Sequence, residues 1–196
     1  PDLYMQIERC RLCGGGELFP RLDLGKHALT AFADSPGTGE YAPLELMECM
    51  ACSLVQLRHT VSRDRLYRGF YPYLSGMNKT MVAALADVTQ AIEKEVPLRA
   101  GDVVLDIGCN DGTMLASYAT PGLVKIGFEP SPHAAALAQD RGDISVVQSY
   151  FVREGMPSRR LQKARVITAI AMFYSVETPY RFLFDVADQL SWDGIF

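Results

Sequence analysis

The chain has 196 residues, of which 48% are hydrophobic and 21% charged, and its net charge is −4. That length suits one α/β domain with a small module and excludes two full domains. The charge excludes a general phosphate-binding surface, so no nucleic-acid partner is expected.

The local basic clusters "RHTVSRDRLYR" and "SRRLQKAR" are each broken by acidic or apolar residues and read as solvated helix faces. The longest apolar run, "VITAIAMF", has about eight residues, whereas a membrane-spanning helix needs about twenty. The chain starts at Pro1, and no signal peptide is expected. The expected setting is cytoplasmic, with no membrane partner. Both ends read as fragment boundaries.

Residues 1–58 hold four of the five cysteines, the triplet "GGG" and the stretch "DSPGTGEYAP", and predict short strands and turns. Residues 59–100 form a connecting region. Within it Val82, Leu85, Val88, Ile92 and Val96 recur every three or four residues, the stripe of an amphipathic helix. Ahead of that stripe lies "GFYPYLSGMNKT", an aromatic loop of no simple period.

From residue 101 to 196 the rhythm is strand, turn, helix. "DVVLDIG" predicts a strand, "DGTMLASYA" a helix ending at "TPG", and "LVKIGFEP" a second strand. Ser131 is placed to cap the next helix, with Pro132 at its first position and Gly142 beyond its end. "ISVVQSYF" and "ARVITAIAMFY" predict two further strands. Thr178 and Pro179 open a last helix with Leu183, Val186, Ala187 and Leu190 on its inner face. "WDG" closes that helix, and "IF" begins one more strand. Buried apolar strands alternating with helices imply a parallel sheet covered on both faces.

The paired cysteines are Cys10-x-x-Cys13 and Cys49-x-x-Cys52. Two such turns place four thiolates tetrahedrally around Zn²⁺. Disulfides and redox thiols are the other readings. A cytoplasmic chain disfavours the first, and the second needs only one pair beside a helix start. Residues 14–48 exceed the usual zinc-ribbon spacer and imply an inserted loop or hairpin. With four Cys ligands the metal has no open position, so its role is folding.

Gly108-Cys109-Asn110-Asp111-Gly112 follows the first strand of the sheet. That turn is where an α/β sheet takes a nucleotide-like ligand. The dinucleotide fingerprint has a glycine where this chain has Asn110, and Asp106 and Asp111 would repel a diphosphate. S-adenosylmethionine carries an ammonium, a sulfonium and an adenosine but no phosphate, and fits better. Glu129 ends the second strand, about twenty residues on, where an acid accepts hydrogen bonds from ribose hydroxyls. A nicotinamide cofactor shares that last feature, and a glycine turn that binds nothing is the remaining alternative.

"VLDIGCNDGT" with "GFEPS" resembles motif I and the acidic strand of class I S-adenosylmethionine-dependent methyltransferases. "CRLCGG", "LELMECMACSLVQL", "YPYLSGMNKTM", "LDIGCNDGTML" and "AMFYSVETPYRFLFDVADQLSWDGI" occur in the order found in zinc-containing C-methyltransferases of nucleotide-linked keto-deoxysugars. The resemblance implies a Rossmann-like sheet, C-terminally incomplete, preceded by a zinc-binding module. Its cofactors are S-adenosylmethionine and Zn²⁺, and its partner is a small-molecule acceptor, a nucleotide-sugar.

Position by position, the resemblance implies that Gly108, Cys109, Asn110 and Asp111 cradle the cofactor with Asp106 near its ammonium. It implies Glu129 at the ribose, Pro130 shaping the adenine pocket and Phe151 as an adenine contact. Ala171 and Met172 would lie under the cofactor. Tyr71, Tyr73, Ser75, Asn78 and Lys79 resemble the lid, although Tyr71 and Tyr73 also suit ordinary packing and Lys79 an exposed helix start. Tyr174 and Tyr73 are the catalytic candidates. The implied reaction is methylation of the carbon beside a ketone through an enolate. Family members continue into a histidine-bearing segment and a C-terminal domain, whereas the histidines here are His27, His59 and His133. The alternatives are a methyltransferase of another small metabolite and a non-catalytic zinc- or cofactor-binding module.

Overall fold

The computed structural model describes residues 2–29, 35, 38–68, 71–151 and 162–196. Gly69 and Phe70 of the aromatic loop, residues 158–161 of "SRRLQKAR" and parts of "DSPGTGEYAP" lie outside the described residues. The chain divides into two compact units, Pro1–Pro72 with Glu177–Tyr180, and Tyr73–Val176 with Arg181–Phe196. Residues 59–72 therefore group with the cysteines, and the amphipathic helix groups with the sheet.

In the first unit, β1 (Tyr4–Gln6) pairs antiparallel with β5 (His59–Val61). A three-stranded antiparallel sheet joins β2 (Leu18–Ala28), β3 (Tyr41–Cys49) and β4 (Val55–Leu57) in that order. Strands of 11 and 9 residues replace the short strands expected from composition. They form the hairpin that fills the long spacer between the cysteine pairs. Its register shifts between Pro20 and Leu22 and between Asp23 and Lys26.

The second unit begins with α1 (Lys79–Glu95), capped by the Asn78 side chain, which accepts from the N–H groups of Thr80 and Met81. Five parallel strands follow: β6 (Val103–Ile107), β7 (Val124–Phe128), β8 (Ile144–Val147), β9 (Ala164–Thr168) and β10 (Leu190–Ile195). Their spatial order is β10-β9-β6-β7-β8, with β6 central. The order reverses at β6, which makes its C-terminal end the switch point where such sheets bind ligands. Helices α2 (Thr113–Ala116), α3 (Pro132–Gln139) and α4 (Pro179–Gln189) make the crossovers.

β6 is buried along its whole length. Val103, Leu105 and Ile107 enter one apolar cluster with Phe128, Phe151, Phe182 and Val186. Val104 enters the other, with Leu115, Tyr118, Ala138 and Ile144. This period-two split is what a strand covered on both faces requires. Among the described residues no helix is long and apolar enough to cross a membrane.

Further elements of the second unit differ from the sequence expectations. α2 has four residues, and at its end both the N–H and the Oγ of Ser117 donate to the Met114 carbonyl. β9 stops at Thr168, where its pairing with β6 ends, and the apolar run continues as a turn with Ala171 at φ +54°. "WDG" lies inside β10 rather than after a helix. A Cβ on Gly194 would stand 2.9 Å from the Ala164 carbonyl oxygen, so glycine lets β10 close on β9. Ser131 occupies the cap position of α3, but its hydroxyl makes no cap hydrogen bond.

Candidate functional site

The two cysteine turns repeat one geometry. Gly14 N–H donates to Cys10 O at 2.9 Å and Ser53 N–H to Cys49 O at 2.8 Å. Both donors sit in the left-handed region, Gly14 at φ +74° and Ser53 at +60°. Gly15 is glycine for a different reason, since a Cβ there would lie 3.3 Å from Cys13 Sγ and 3.5 Å from Cys49 Sγ.

The sulfurs of Cys10, Cys13, Cys49 and Cys52 all lie within 4.8 Å of one another. Cys10–Cys52 is 3.7 Å and Cys13–Cys49 3.5 Å. A tetrahedron of sulfurs about 2.3 Å from Zn²⁺ has edges of about 3.8 Å. The donor set therefore fits zinc and supplies all four ligands. Backbone N–H groups of Leu12 and Gly15 point at Cys10 and Cys13 sulfurs, each at 3.4 Å. Burial resists ionisation of Cys10. The backbone donors of Cys13 and Leu12 and the Gln56 side chain outweigh it and bring this thiol to about 6, in the thiolate range a metal needs.

In the second unit the glycine turn leaves β6 with Gly108 at φ +76°, Asn110 at +53° and Gly112 at +75°. Glycine adopts that region without cost, and asparagine is the side chain that best tolerates it. The turn is thereby coiled at the sheet's switch point.

Two acids flank it. Asp106 is 3% exposed and Glu129 6%. Glu129 Oε2 accepts from Asn110 N–H at 2.9 Å and Oε1 from Ser131 N–H at 2.8 Å, which sets the carboxylate at the end of β7. Thr168 Oγ1 donates to Asp106 Oδ1 at 2.7 Å. Burial raises Asp106 to about 7, Thr168 opposes the rise, and the charge of Glu129 adds to it. Burial also raises Glu129, against the two backbone donors. Among the described residues no cationic side chain pairs with either acid. The Ser131 hydroxyl is buried beside them and has no hydrogen-bond partner among the described residues. Two buried carboxylates and an unused hydroxyl fit a ligand that brings positive charge and hydroxyl groups.

The sequence-derived candidates scatter as follows. Gly108 faces Met172, whose Cγ would be 3.4 Å from an added Cβ, and Ala171 precedes it in a left-handed conformation. Cys109 is buried under Gly127, and burial pushes its thiol up, so it is inert. Pro130 is half-buried behind Glu129. Phe151 is a core residue, edge-on to Phe128 at 5.1 Å and to Phe182 at 5.9 Å.

Asn110 and Asp111 turn their side chains to the segment before α1, which contains Tyr73 and Ser75. Asn78 is spent as the cap of α1, and Lys79 is exposed at its first position. Tyr71 belongs to the cysteine unit, edge-on to Tyr67 at 5.6 Å. Tyr174 is 83% exposed in the turn after β9. His27 lies in β2, His59 in β5 and His133 in the first turn of α3.

Sequence reasoning missed Thr168 and Arg141, and gave Ser131 only a capping role. Thr168 carries no motif, and only its register opposite Asp106 gives it a role. Arg141 Nε donates to the Asp111 carbonyl at 2.6 Å and pins the turn from beyond α3.

Residues 10–67 match the family described as "Putative zinc binding domain", and residues 77–196 match the family described as "Methyltransferase domain". The C-methyltransferase NovU of Streptomyces niveus is 25% identical over 200 residues, covering 100% of this chain and 47% of NovU. The chain thus spans about half the length of that curated relative. Similar solved structures include the plantazolicin methyltransferase BpumL with a triazolic desmethylPZN analog and SAH. It has 20% identity and a TM-score of 0.44, with 56% of this chain and 42% of that chain covered. Coclaurine N-methyltransferase bound to N-methylheliamine and SAH has 16% identity and a TM-score of 0.48, covering 58% and 34% of the two chains. These likenesses are partial, whereas the family match takes in α1, the whole sheet and the glycine turn. By that match the chain belongs to the methyltransferase-domain family, with a zinc-binding module ahead of the domain.

Proposed function

We propose that this chain is the cofactor-binding part of an S-adenosylmethionine-dependent C-methyltransferase whose acceptor is a nucleotide-linked keto-deoxysugar. The observation that carries the cofactor reading is the pair of buried acids beside the glycine turn, Asp106 and Glu129, neither of which has a cationic partner among the described residues. A sulfonium-bearing amino acid attached to a ribose satisfies both, whereas a diphosphate would add to their repulsion. The similarity to NovU and the order of the sequence motifs support the acceptor class.

In this reading Gly108, Cys109 and Asn110 cradle the methionine part with their backbone, and Asp111 completes the turn. Asp106 takes the ammonium, Glu129 the two ribose hydroxyls, and Pro130 and Phe151 border the adenine. Ala171 and Met172 form the floor. Tyr71, Tyr73, Ser75, Asn78 and Lys79 belong to the covering segment. Zn²⁺ on Cys10, Cys13, Cys49 and Cys52 holds the first unit folded and takes no part in the chemistry. A reducing, cytoplasmic setting keeps those thiols available.

S-adenosylmethionine, when bound, supplies the electrophilic methyl group. A base removes the proton from the acceptor carbon beside the ketone. Held by the glycine turn, Asp106 and Glu129, the cofactor would supply the methyl group that the acceptor carbon gains in exchange for its proton. The chain contributes orientation, which is worth up to about 7–11 kcal/mol for two well-placed reactants. The phenols of Tyr73 and Tyr174 are the groups proposed to face the enolate oxygen or the departing proton.

Calorimetric titration of the zinc-loaded protein with S-adenosylmethionine and, separately, NAD tests the cofactor. Binding of the first alone, with one zinc per chain, supports the reading, and binding of NAD alone overturns it. Transfer of labelled methyl from the cofactor to a nucleotide-linked 4-ketosugar by a protein that also contains the rest of the enzyme tests the acceptor. Transfer only to other small metabolites would replace the sugar and leave the cofactor assignment standing.

A further inference from the structure

Asn110 and Asp111 occupy the centre of the glycine turn, yet both side chains are committed elsewhere. Asn110 Oδ1 accepts from Ser75 N–H and its Nδ2 donates to the Tyr73 carbonyl, each at 2.9 Å. The amide thus pairs with the two backbone groups that bracket Leu74, as a neighbouring strand's peptide group would. Asp111 Oδ2 accepts from the next amide, Gly76 N–H, at 2.8 Å. Its other oxygen accepts from Thr113 N–H at 3.2 Å and Thr113 Oγ1 at 2.6 Å. Arg141 Nη2 donates to that same threonine oxygen at 3.0 Å.

Both side chains are buried, Asn110 at 8% and Asp111 at 6% exposure. Asn110 uses its acceptor and one donor on the covering segment, and Asp111 uses both oxygens on protein donors. Gly76 shows how tight the approach is. A Cβ there would stand 2.7 Å from Asp111 Oδ2 and 3.0 Å from Thr113 Oγ1. Gly76 is absent from the residues with positive φ, so its backbone conformation does not call for glycine and the close approach does.

We propose that Asn110 and Asp111 are positioning residues that act through the protein's own backbone: they clamp Tyr73–Met77 onto the cofactor turn, and the cofactor leaves only when this clamp opens. The inference rests on the cofactor reading above and adds what these two positions do. It also accounts for Asn110 at the place where a dinucleotide fingerprint has glycine. The position needs a left-handed residue that also offers an amide, and asparagine meets both demands. Tyr73 is fixed by the same contact, because its carbonyl is one of the two groups the amide holds.

Gly76→Ala is the cleanest test, since it wedges the clamp without altering a residue of the turn. Hydrogen exchange at Ser75 and Gly76 is measured on zinc-loaded protein without cofactor, and release of S-adenosylhomocysteine by stopped flow. Zinc content and thermal unfolding confirm that the variant is folded. The expected result is about tenfold faster exchange at both amides and about tenfold faster release, with association changed far less. Asn110→Ala should do the same at Ser75, and Asp111→Ala at Gly76. Faster exchange with unchanged release overturns the gating role, and unchanged exchange overturns the clamp. Wild-type protein that binds no S-adenosylhomocysteine overturns the cofactor reading instead. The exchange difference between wild type and Gly76→Ala persists in that case and separates the two failures.

Discussion

Asp106 and Thr168 stand opposite each other in register on the adjacent parallel strands β6 and β9, and the threonine hydroxyl donates to the carboxylate at 2.7 Å. This bond is the neutral part of what an acid in an apolar sheet needs. In the proposed reading the rest, a positive charge, comes from the cofactor's ammonium. Burial, with the Glu129 charge adding, holds Asp106 at about 7 without it.

Cofactor affinity should therefore depend on pH. Below pH 7 the free protein carries a proton on Asp106 that a bound ammonium displaces. Affinity should rise with pH up to about 7, by as much as tenfold per unit, and level off above it. Titrations in two buffers of different ionisation enthalpy should show proton release near pH 6 and little at pH 8. Equal affinity across that range would remove Asp106 from the ammonium site.

The same acid makes the cofactor-free protein less stable as pH rises. Its folded value, about 7, lies above the ordinary 3.8, so the native state keeps a proton that the unfolded chain has lost. The stability from this group is full below about pH 4, declines from there to about pH 7 and is level above it. The ionised form costs on the order of 4 kcal/mol. Asp106→Asn should flatten this decline, raise the unfolding midpoint at pH 8 and abolish cofactor binding. A variant that binds normally would contradict the assignment.

Thr168→Val keeps the shape and deletes the hydroxyl. A hydrogen bond to a charged group is worth about 1.5–3 kcal/mol. The variant should move the pH midpoint for binding upward by about one to two units and weaken affinity at pH 7.5 by about tenfold or more. It should leave the sheet folded, as circular dichroism would show. A change in affinity without a change in midpoint would mean that Thr168 touches the cofactor and does not act through Asp106.

The order of elements in the second unit was legible in the sequence, because apolar runs such as Val103–Ile107 stop at glycines that only a turn explains. Glu129 was legible by its distance from Gly108. The cysteine pairs were legible by spacing, and the structure adds that the two turns are copies, with Ser53 standing in the left-handed position that Gly14 fills in the other. The roles of Thr168 and Arg141 were not legible. Thr168 acts through register across a sheet, and Arg141 reaches the turn from beyond α3. The same holds for the hydrogen bonds that Asn110 and Asp111 accept from Ser75 and Gly76, which bridge 35 residues. Motif spacing records contacts within a turn and carries no trace of partners that tertiary packing brings to it.

Removing the metal should act on the first unit. Its strands β1, β4 and β5 have three residues each, and strands that short do not stand alone. Chelation, or Cys49→Ser, should abolish zinc binding, reduce the strand signal and expose β2–β3 to proteolysis. Stoichiometry should fall from one zinc per chain to none. Retention of the proteolytic pattern after complete zinc loss would show that the four thiols are dispensable for folding.

Gly127 faces Asp106 in register on β7, and Cys109 fills the space a side chain at 127 would take. An added Cβ would overlap Cys109 Sγ, lie 3.0 Å from Cys109 Cβ and 3.4 Å from Leu115 Cδ1. These are buried atoms in the core under the turn, so Gly127→Ala should destabilise by about 1–3 kcal/mol through overpacking. Cys109→Ala alone should also destabilise, by leaving the sulfur's volume empty. Combined, the alanine methyl at 127 takes up part of the vacated space, and the double variant should be more stable than the sum of the two single effects by roughly 0.5–2 kcal/mol. Urea unfolding of all four proteins reads this directly. The cysteine then serves as a filler matched to one glycine, and alanine at 109 beside the native Gly127 should still bind the cofactor. Strict additivity would mean that the strand shifts away from Cys109 instead, and the matched-volume account of this turn would be wrong.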